Sequence, residues 1–262
     1  MNRDASVLLL GDPVSRSLSP DMQNAAFEAL RIDCRYLLRE VNRAGLAGAM
    51  AELRGDERII GANVTIPHKE SVIPYLDDLD AQAARIGAVN TISRQGATLK
   101  GWNTDVEGFQ RALDEQFPAP ARGGGQGGGF SHIVIIGAGG AARAVAAALQ
   151  PAAEVWVVAR DIERARRLCH DLAIVRGGPV EMDYLQEAVA KAQLVVNATP
   201  ADLPPASWLR TDQVLFDLRS GRSAEGRAML LHQGAASFEI WTGRKAPLDV
   251  MRAALDRASV PA

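Results

Sequence analysis

Short apolar runs alternate with helical patterns along most of this chain. The pattern predicts strands at 6–10, 34–41, 59–64, 131–136, 154–158 and near 193–197 and 213–217, with helices at 19–30, 43–54, 104–117, 140–150 and 161–172. The last segment, 229–255, is mostly helical, with a break at Gly243 and Pro247. Pro20 suits the first position of its helix, where a missing N–H costs nothing. Such alternation predicts an α/β fold with mostly parallel sheets covered by helices.

A glycine-rich stretch at 118–129 (PAPARGGGQGGG) interrupts this alternation. Chains of this composition behave as flexible, exposed linkers. No Gly-Lys-Ser or Gly-Lys-Thr follows it, so it lacks the signature of a phosphate-binding loop. It therefore predicts a boundary between two α/β units.

Composition narrows the class of protein. Apolar residues make up 47% and charged residues 23%, and the net charge of −2 gives no reason to expect nucleic acid or a membrane surface as a partner. No apolar run approaches the length of a membrane span or of a signal-peptide core. Two distant cysteines, Cys34 and Cys169, predict reduced thiols in a cytoplasmic protein. The four histidines lack metal-ligand spacing, so no metal site is expected.

The segment Gly137-Ala138-Gly139-Gly140-Ala141-Ala142 follows a predicted strand and opens an alanine-rich helix. In that context it predicts a dinucleotide-binding turn. Gly137 allows the tight turn, Gly139 lets a pyrophosphate approach the backbone, and Ala142 lets the helix pack closely. The free amides at the helix start then stabilise the phosphate charge.

The residues after the next strand bear on the choice of cofactor. Arg160 and Arg164 lie four positions apart, so both can reach one phosphate if a helix begins near 161. Asp161 could accept a hydrogen bond from the ribose of NAD, but its preferred role is to cap that helix. NADP is therefore favoured and NAD is the alternative.

Polar residues also cluster where the first apolar runs end. Residues 63–69 read Asn-Val-Thr-Ile-Pro-His-Lys, and residues 103–105 read Asn-Thr-Asp. A buried core has no use for such a set, whereas a site that grips several hydroxyls and moves one proton requires it. Ser17 and Ser19 flank a helix start, which suits a carboxylate.

These motifs together resemble the shikimate dehydrogenase family. The resemblance rests on 11–20 (GDPVSRSLSP), 63–69, 87–92 (GAVNTI), 101–109 (GWNTDVEGF) and Gln233-Gly234, and extends from about residue 6 to residue 255. It implies NADP-dependent, reversible oxidation of shikimate to 3-dehydroshikimate by a cytoplasmic monomer or homodimer. It further implies a substrate domain at 1–103 plus 237–262 and a Rossmann-type domain at 104–236.

The resemblance also implies a role for each matching residue. Ser17 and Ser19 would hold the substrate carboxylate, and Lys69 and Asp105 would form the catalytic pair. The substrate hydroxyls would be bound, or the pocket lined, by Asn63, Thr65, Asn90, Asp105 and Gln233. The cofactor would contact Gly137, Ala138, Gly139, Gly140, Ala141, Arg160, Arg164, Thr199 and Gly226. Removing a hydride from an alcohol releases a proton, which is why such a site needs a group like Lys69 to accept it or to stabilise the alkoxide.

Three departures from the family pattern keep alternatives open. Gln23-Asn24 stands where His-Asn is usual, and Ala159-Arg160-Asp161 where Asn-Arg-Thr is usual. The connection 218–225 is shorter than the family's, lacks its Tyr-x-Pro segment, and should shorten the C-terminal part of the Rossmann sheet. Arg219 and Arg222 in that connection could be solvated or hold a different anion.

The alternatives differ in substrate or in class. A sister dehydrogenase for quinate, aminoshikimate or another cyclohexane acid is the nearest, although Ser17-Leu18-Ser19 favours shikimate. A catalytically idle nucleotide-binding regulator is disfavoured because Lys69 and Asp105 are both present. A folate-type dehydrogenase has a similar two-domain plan but gives no account of the two serines.

Overall fold

The computed structural model describes residues 4–118, 129–150 and 153–258. The chain divides into two compact units, Met1–Thr104 with Leu230–Ala262 and Asp105–Met229. The sequence placed these boundaries at 103/104 and 236/237. The predicted linker at 118–129 lies, apart from its two end residues, outside the described part of the chain.

The first unit is a six-stranded mixed sheet with helices on both faces. Its strands are β1 (Ala5–Gly11), β2 (Cys34–Glu40), β3 (Ile59–Val64), β4 (Asp78–Leu79), β5 (Thr91–Gln95) and β6 (Thr98–Trp102). Its helices are α1 (Ser19–Ala29), α2 (Leu46–Gly55) and α3 (Ala81–Ile86). The spatial order is β2-β1-β3-β5-β6-β4. A 3-10 turn at Arg43–Gly45 replaces the first turn of the predicted helix at 43–54.

Strand β1 is buried on both sides because its alternate side chains enter different cores. Val7 and Leu9 pack with α1 and the C-terminal helices, while Leu8 and Leu10 pack with α2. This arrangement explains why the strand is a continuous apolar run rather than an alternating one. Parallel pairing with β3 sets Leu10 beside Val64, so β1 and β3 end at the same edge of the sheet.

The first sheet is mostly parallel, as predicted, with three parallel pairings out of five, but one of its strands reverses direction. Strand β5 pairs antiparallel with both β3 and β6. The β5–β6 hairpin turns through Gly96, whose φ of 62° lies in the left-handed region that favours glycine. The sequence pattern assigned no strand between 64 and 102, because these strands are short and carry polar residues on buried positions.

The second unit is a parallel sheet of five strands. They are β7 (His132–Ile136), β8 (Glu154–Ala159), β9 (Gly177–Glu181), β10 (Leu194–Asn197) and β11 (Val214–Asp217), in the order β11-β10-β7-β8-β9. The helices are α4 (Asp105–Gln116), α5 (Gly140–Leu149), α6 (Ile162–Asp171) and α7 (Leu185–Lys191). This is a Rossmann-type sheet with the sixth strand of the usual order absent from the described residues. The predicted α/β class with a shortened Rossmann sheet is confirmed.

Two elements of this unit escaped the sequence pattern. Strand β9 has the sequence Gly-Gly-Pro-Val-Glu, and most of its residues are not fully buried. It therefore lacks the apolar run by which a strand is predicted from sequence. Helix α7 has only seven residues. The chain ends in α8 (Ala224–Thr242), which begins five residues before the predicted helical segment, and α9 (Leu248–Ala258).

The described residues contain two free thiols and no candidate metal group. Cys34 and Cys169 are both buried, and burial raises the pKa of Cys34 to about 12 and that of Cys169 to about 11. None of the described helices is long and apolar enough to cross a bilayer. Within the same residues no three His, Cys, Asp or Glu side chains come together in a way that could hold a metal ion.

Candidate functional site

A buried network of hydrogen bonds occupies the first unit near the ends of β1, β3 and β5. Asn63, in β3, is 6% exposed, and its amide nitrogen donates to Asn90 O (3.0 Å), Thr91 Oγ1 (3.1 Å) and Ser237 Oγ (3.1 Å). Every one of these partners is itself buried. A buried amide that lost such partners would pay the cost of its own desolvation, so the network holds Asn63 in one orientation.

Asn90 has an orientation that its neighbours determine. Its Oδ1 accepts a hydrogen bond from the backbone N–H of Thr104 at 2.8 Å, and a backbone N–H can only donate. Its Nδ2 must therefore point the other way, where it donates to Thr104 Oγ1 (2.9 Å) and to Gln233 Oε1 (3.2 Å). The half-buried Gln233 is thus tied to the β5 end of the sheet.

Ser237 joins α8 to this network. It is fully buried, donates to Gln233 O one helical turn earlier (2.9 Å), and lies 2.7 Å from Thr91 Oγ1 and 3.2 Å from Thr104 Oγ1. One hydroxyl on the helix therefore contacts β3, β5 and the segment before α4. We call the set Asn63, Asn90, Thr91, Thr104 and Ser237 the polar network.

Tyr36 extends the polar network to the two serines. Its hydroxyl donates to Asn63 Oδ1 at 2.8 Å and is hydrogen-bonded with Ser19. Burial raises the pKa of Tyr36 far above its ordinary value, so the phenol stays neutral. Ser17 Oγ donates to Ser19 Oγ (3.1 Å) and accepts from the Ser19 N–H (3.2 Å). A continuous chain of hydrogen bonds thus runs from Ser17 to Gln233.

Thr65 and Lys69 follow β3 at the edge where β1 also ends. The Thr65 methyl lies so close to Gly11 that a Cβ on this glycine would stand 2.3 Å from it. Lys69 is half-buried and its carbonyl accepts from Val89 N (2.7 Å), next to Asn90. His68, fully buried, contacts Val41 O through Nε2 (2.6 Å). The backbone on both sides of the Lys69 side chain is thereby fixed.

Asp105 is the first residue of α4 and is 3% exposed. It directly follows Thr104, whose N–H and hydroxyl both bond with Asn90 Oδ1. The polar network therefore fixes the chain immediately before this carboxylate. A carboxylate at a helix N-terminus is also stabilised by the helix dipole.

In the second unit, Gly137 ends β7 in a conformation that requires glycine. Its φ is 114°, and a Cβ there would stand 3.1 Å from Thr199 Cγ2 and 3.2 Å from Ala198 O. Its N–H donates to Val158 O at 2.8 Å, which ties the turn to β8. The turn after β7 thus rests against the turn after β10, at the point where the strand order reverses and where such sheets bind ligands.

Gly139 differs from Gly137 because its φ of −94° suits any residue. Among the described residues, the one atom near a Cβ on Gly139 would be Arg164 Nη2, at 4.0 Å. Helix α5 begins beside it without a side-chain cap, so its first amides face the same space, flanked by Ala138, Gly140 and Ala141. The guanidinium of Arg164 lies over this turn.

Asp161 caps α6, as the sequence predicts. Its carboxylate accepts from Glu163 N (3.1 Å) and Arg164 N (3.3 Å). Arg160, one residue past the end of β8, is exposed. Both capping bonds are accepted by the same carboxylate oxygen, Oδ1.

Gly226 is buried in the first turn of α8. A Cβ there would stand 2.7 Å from the backbone carbon of Arg219 and 2.8 Å from Ser220 N. The short connection after β11 therefore folds directly over this glycine.

Sequence reasoning assigned no role to four members of the hydrogen-bonded set, namely Tyr36, Thr91, Thr104 and Ser237. Ser237 lies four residues after Gln233 on one helix, and this i,i+4 spacing was the signal that could have identified it. Tyr36 and Thr91 occupy strand positions where tyrosine and threonine are common, so their chemistry gave no signal.

Family models and known proteins match nearly the whole chain. Residues 9–92 match the shikimate dehydrogenase substrate binding domain, 128–214 match shikimate/quinate 5-dehydrogenase, and 226–255 match the shikimate 5'-dehydrogenase C-terminal domain. The shikimate dehydrogenase (NADP(+)) of Moorella thermoacetica is 43% identical over 284 aligned positions, which cover 96% of this chain and 92% of that protein.

Solved structures agree with these matches. The shikimate 5-dehydrogenase of Thermus thermophilus in complex with NADP(H) and shikimate has a TM-score of 0.79 and 33% identity, covering 97% of this chain and 99% of that one. The quinate dehydrogenase of Corynebacterium glutamicum in complex with NAD has a TM-score of 0.80 at 26% identity, with coverage of 97% and 99%.

Replacing Gly139 by alanine tests the dinucleotide turn without straining the protein. Because the methyl group meets only open space and the end of Arg164, we expect Gly139→Ala to keep the melting temperature. It should weaken dinucleotide binding by about tenfold or more, since a tenfold change is only about 1.4 kcal/mol. Gly137→Ala is the contrasting variant, because its backbone strain should cost about 1–3 kcal/mol of stability as well. Unchanged dinucleotide affinity in Gly139→Ala, measured by fluorescence titration, would place the ligand elsewhere.

Proposed function

Because the chain belongs to the shikimate dehydrogenase family, we propose that it is an NADP-dependent dehydrogenase that interconverts shikimate and 3-dehydroshikimate. The observation that carries this proposal is the continuous chain of hydrogen bonds from Ser17 to Gln233. It joins five of the residues that the sequence assigns to substrate, on four separate segments of the first unit.

The substrate proposal follows from the chemistry of these groups. Ser17 and Ser19 offer hydroxyls beside the start of α1, where a carboxylate is stabilised by donors and by the helix dipole. Asn90 turns its N–H donors toward Gln233, and the two amides form a polar surface for ring hydroxyls. Asn63 and Thr65 complete the set along β3. A cyclohexene carboxylate with several hydroxyls satisfies all of these groups.

Proton handling is assigned to Lys69 and Asp105. Bound NADP supplies the acceptor for the hydride when the alcohol becomes a ketone. The proton of the same hydroxyl leaves in that step, and Lys69 either accepts it or, as an ammonium ion, donates a hydrogen bond to the developing alkoxide. Asp105 orients the hydroxyl and the lysine. Both roles act in the transition state rather than in substrate binding.

Cofactor binding is assigned to the second unit. The amides at the start of α5 and the turn at Gly137–Ala141 hold the pyrophosphate, while Thr199 and Gly226 border the same edge of the sheet. Arg160 and Arg164 pair with the 2′-phosphate that distinguishes NADP from NAD. Asp161 is assigned the cap of α6, which it forms through Oδ1, rather than the ribose.

The proposed enzyme acts on small molecules in the cytoplasm, as a monomer or a homodimer. The two buried, weakly acidic thiols support a reducing compartment.

A panel of substrates and cofactors tests the proposed function. We expect the highest kcat/KM for shikimate with NADP, and lower values for quinate, aminoshikimate and for NAD, measured by the appearance of the reduced cofactor. A higher kcat/KM for quinate or aminoshikimate would make the protein a sister dehydrogenase. Dinucleotide binding with no turnover on any of the three acids would make it a regulator.

Lys69→Ala separates catalysis from binding. We expect kcat to fall by about 10²–10⁴-fold, the range typical of general acid–base groups, while KM for shikimate changes little. Lys245→Ala, an exposed lysine of the same unit, is the control and should leave both constants unchanged. If turnover survives Lys69→Ala within a few-fold of the wild type, another group handles the proton.

A further inference from the structure

The connection between β11 and α8 is built around one carboxylate. Only residues 218–223 separate Asp217 from the start of α8. Arg219 donates to Asp217 through its backbone N–H (3.1 Å) and through Nε (2.9 and 3.0 Å). Ser223 Oγ donates to Asp217 O (2.6 Å) and accepts from Gly226 N (2.8 Å). The short connection thus wraps Asp217 and caps α8 with Ser223.

Arg219 also reaches a second carboxylate, Asp202, in the turn that follows β10. The side chains of Arg219 and Asp217 are 18% and 10% exposed, so their ion pair is largely shielded from water, whereas Asp202 is 74% exposed. Arg222 contacts Asp202 as well, at 3.2 Å, but is 65% exposed. Both arginines are therefore occupied by carboxylates of the protein, which argues against the anion-binding role that the sequence left open for them.

Hydrogen bonds with Asn197 fix the segment that follows β10, and this segment contacts the dinucleotide turn at Gly137. Asn197 Nδ2 donates to Ala201 O (2.9 Å), and its Oδ1 accepts from Thr199 N and Thr199 Oγ1 (3.1 and 2.8 Å). Thr199 is the residue whose methyl closes over Gly137. A continuous path of contacts therefore runs from Arg219 through Asp202 and the 198–202 turn to the backbone of Gly137.

We propose that Arg219 is a positioning residue for the dinucleotide turn, the segment Gly137–Ala141. The proposal rests on the proposed NADP-dependent function. The guanidinium clamps the ends of β10 and β11 together, so Thr199 stays seated against Gly137 and the turn keeps the shape that receives the pyrophosphate. Without Arg219, Asp202 and Asp217 repel each other and the turn after β10 loses its anchor.

Substitution of Arg219 separates this role from a merely structural one. We expect Arg219→Ala to raise the Kd and KM for NADP by about tenfold, equivalent to about 1.4 kcal/mol, while KM for shikimate stays within about twofold. Arg219→Lys, which keeps the charge but not the forked geometry, should recover part of the affinity. Arg222→Ala, which removes only the exposed contact to Asp202, should behave as the wild type.

A second variant keeps the test decisive if Arg219→Ala folds poorly. Asp202→Asn removes the charge that pairs with Arg219 and Arg222 while leaving both arginines in place, and should weaken NADP binding in the same direction with KM for shikimate unchanged. Affinity for NADP alone is measured by fluorescence titration, and turnover with shikimate separately. Wild-type protein that binds no NADP overturns the proposed function and this inference together. Normal wild-type binding, with Arg219→Ala and Asp202→Asn both matching Arg222→Ala, overturns the inference alone.

Discussion

The burial of polar side chains constrains the first unit more than any other feature. Asn63, Asn90, Thr91, Thr104 and Ser237 are each at most 6% exposed, and they find their hydrogen-bond partners among one another and in Tyr36 and Gln233. Because the members come from β3, β5, the segment before α4 and α8, the network can be satisfied only when these four elements are in register. The hydrogen bonds that these buried groups require therefore fix the positions of Gln233 and of Thr104, the residue before Asp105.

In the second unit, the candidate ligand-binding groups are backbone amides rather than side chains. Where β7 and β10 end, Gly137 and Thr199 touch, and the start of α5 keeps its amides uncapped. We propose that the ion pair between Arg219 and Asp202 holds the turn after β10 in place beside this contact. One unit therefore presents fixed side-chain donors and acceptors, and the other presents fixed amides, which is the division that a hydroxy acid and a dinucleotide require.

The sequence was sufficient to predict those features that depend on neighbouring residues in the chain. The bounds of β3, the tight turn at Gly137 and the capping role of Asp161 follow from apolar runs, glycine spacing and side-chain chemistry. The β5–β6 hairpin and β9 could not be predicted, because their strands are short and stabilised by neighbours distant in sequence. The candidate site was predicted as a set of residues, but the hydrogen bonds through Tyr36 and Ser237 depend on tertiary packing.

The central claim is that the polar network holds the substrate-binding side chains, and Ser237→Ala tests it most directly. Thr242→Ala is the matched control, because Thr242 makes the same bond to the carbonyl one turn earlier on α8 (2.7 Å) but contacts no described member of the network. We expect Ser237→Ala to cost about 1–3 kcal/mol of stability, the usual penalty for buried groups that lose a partner. Its KM for shikimate should rise by about tenfold, about 1.4 kcal/mol, with KM for NADP unchanged. A KM for shikimate equal to that of Thr242→Ala would contradict the account.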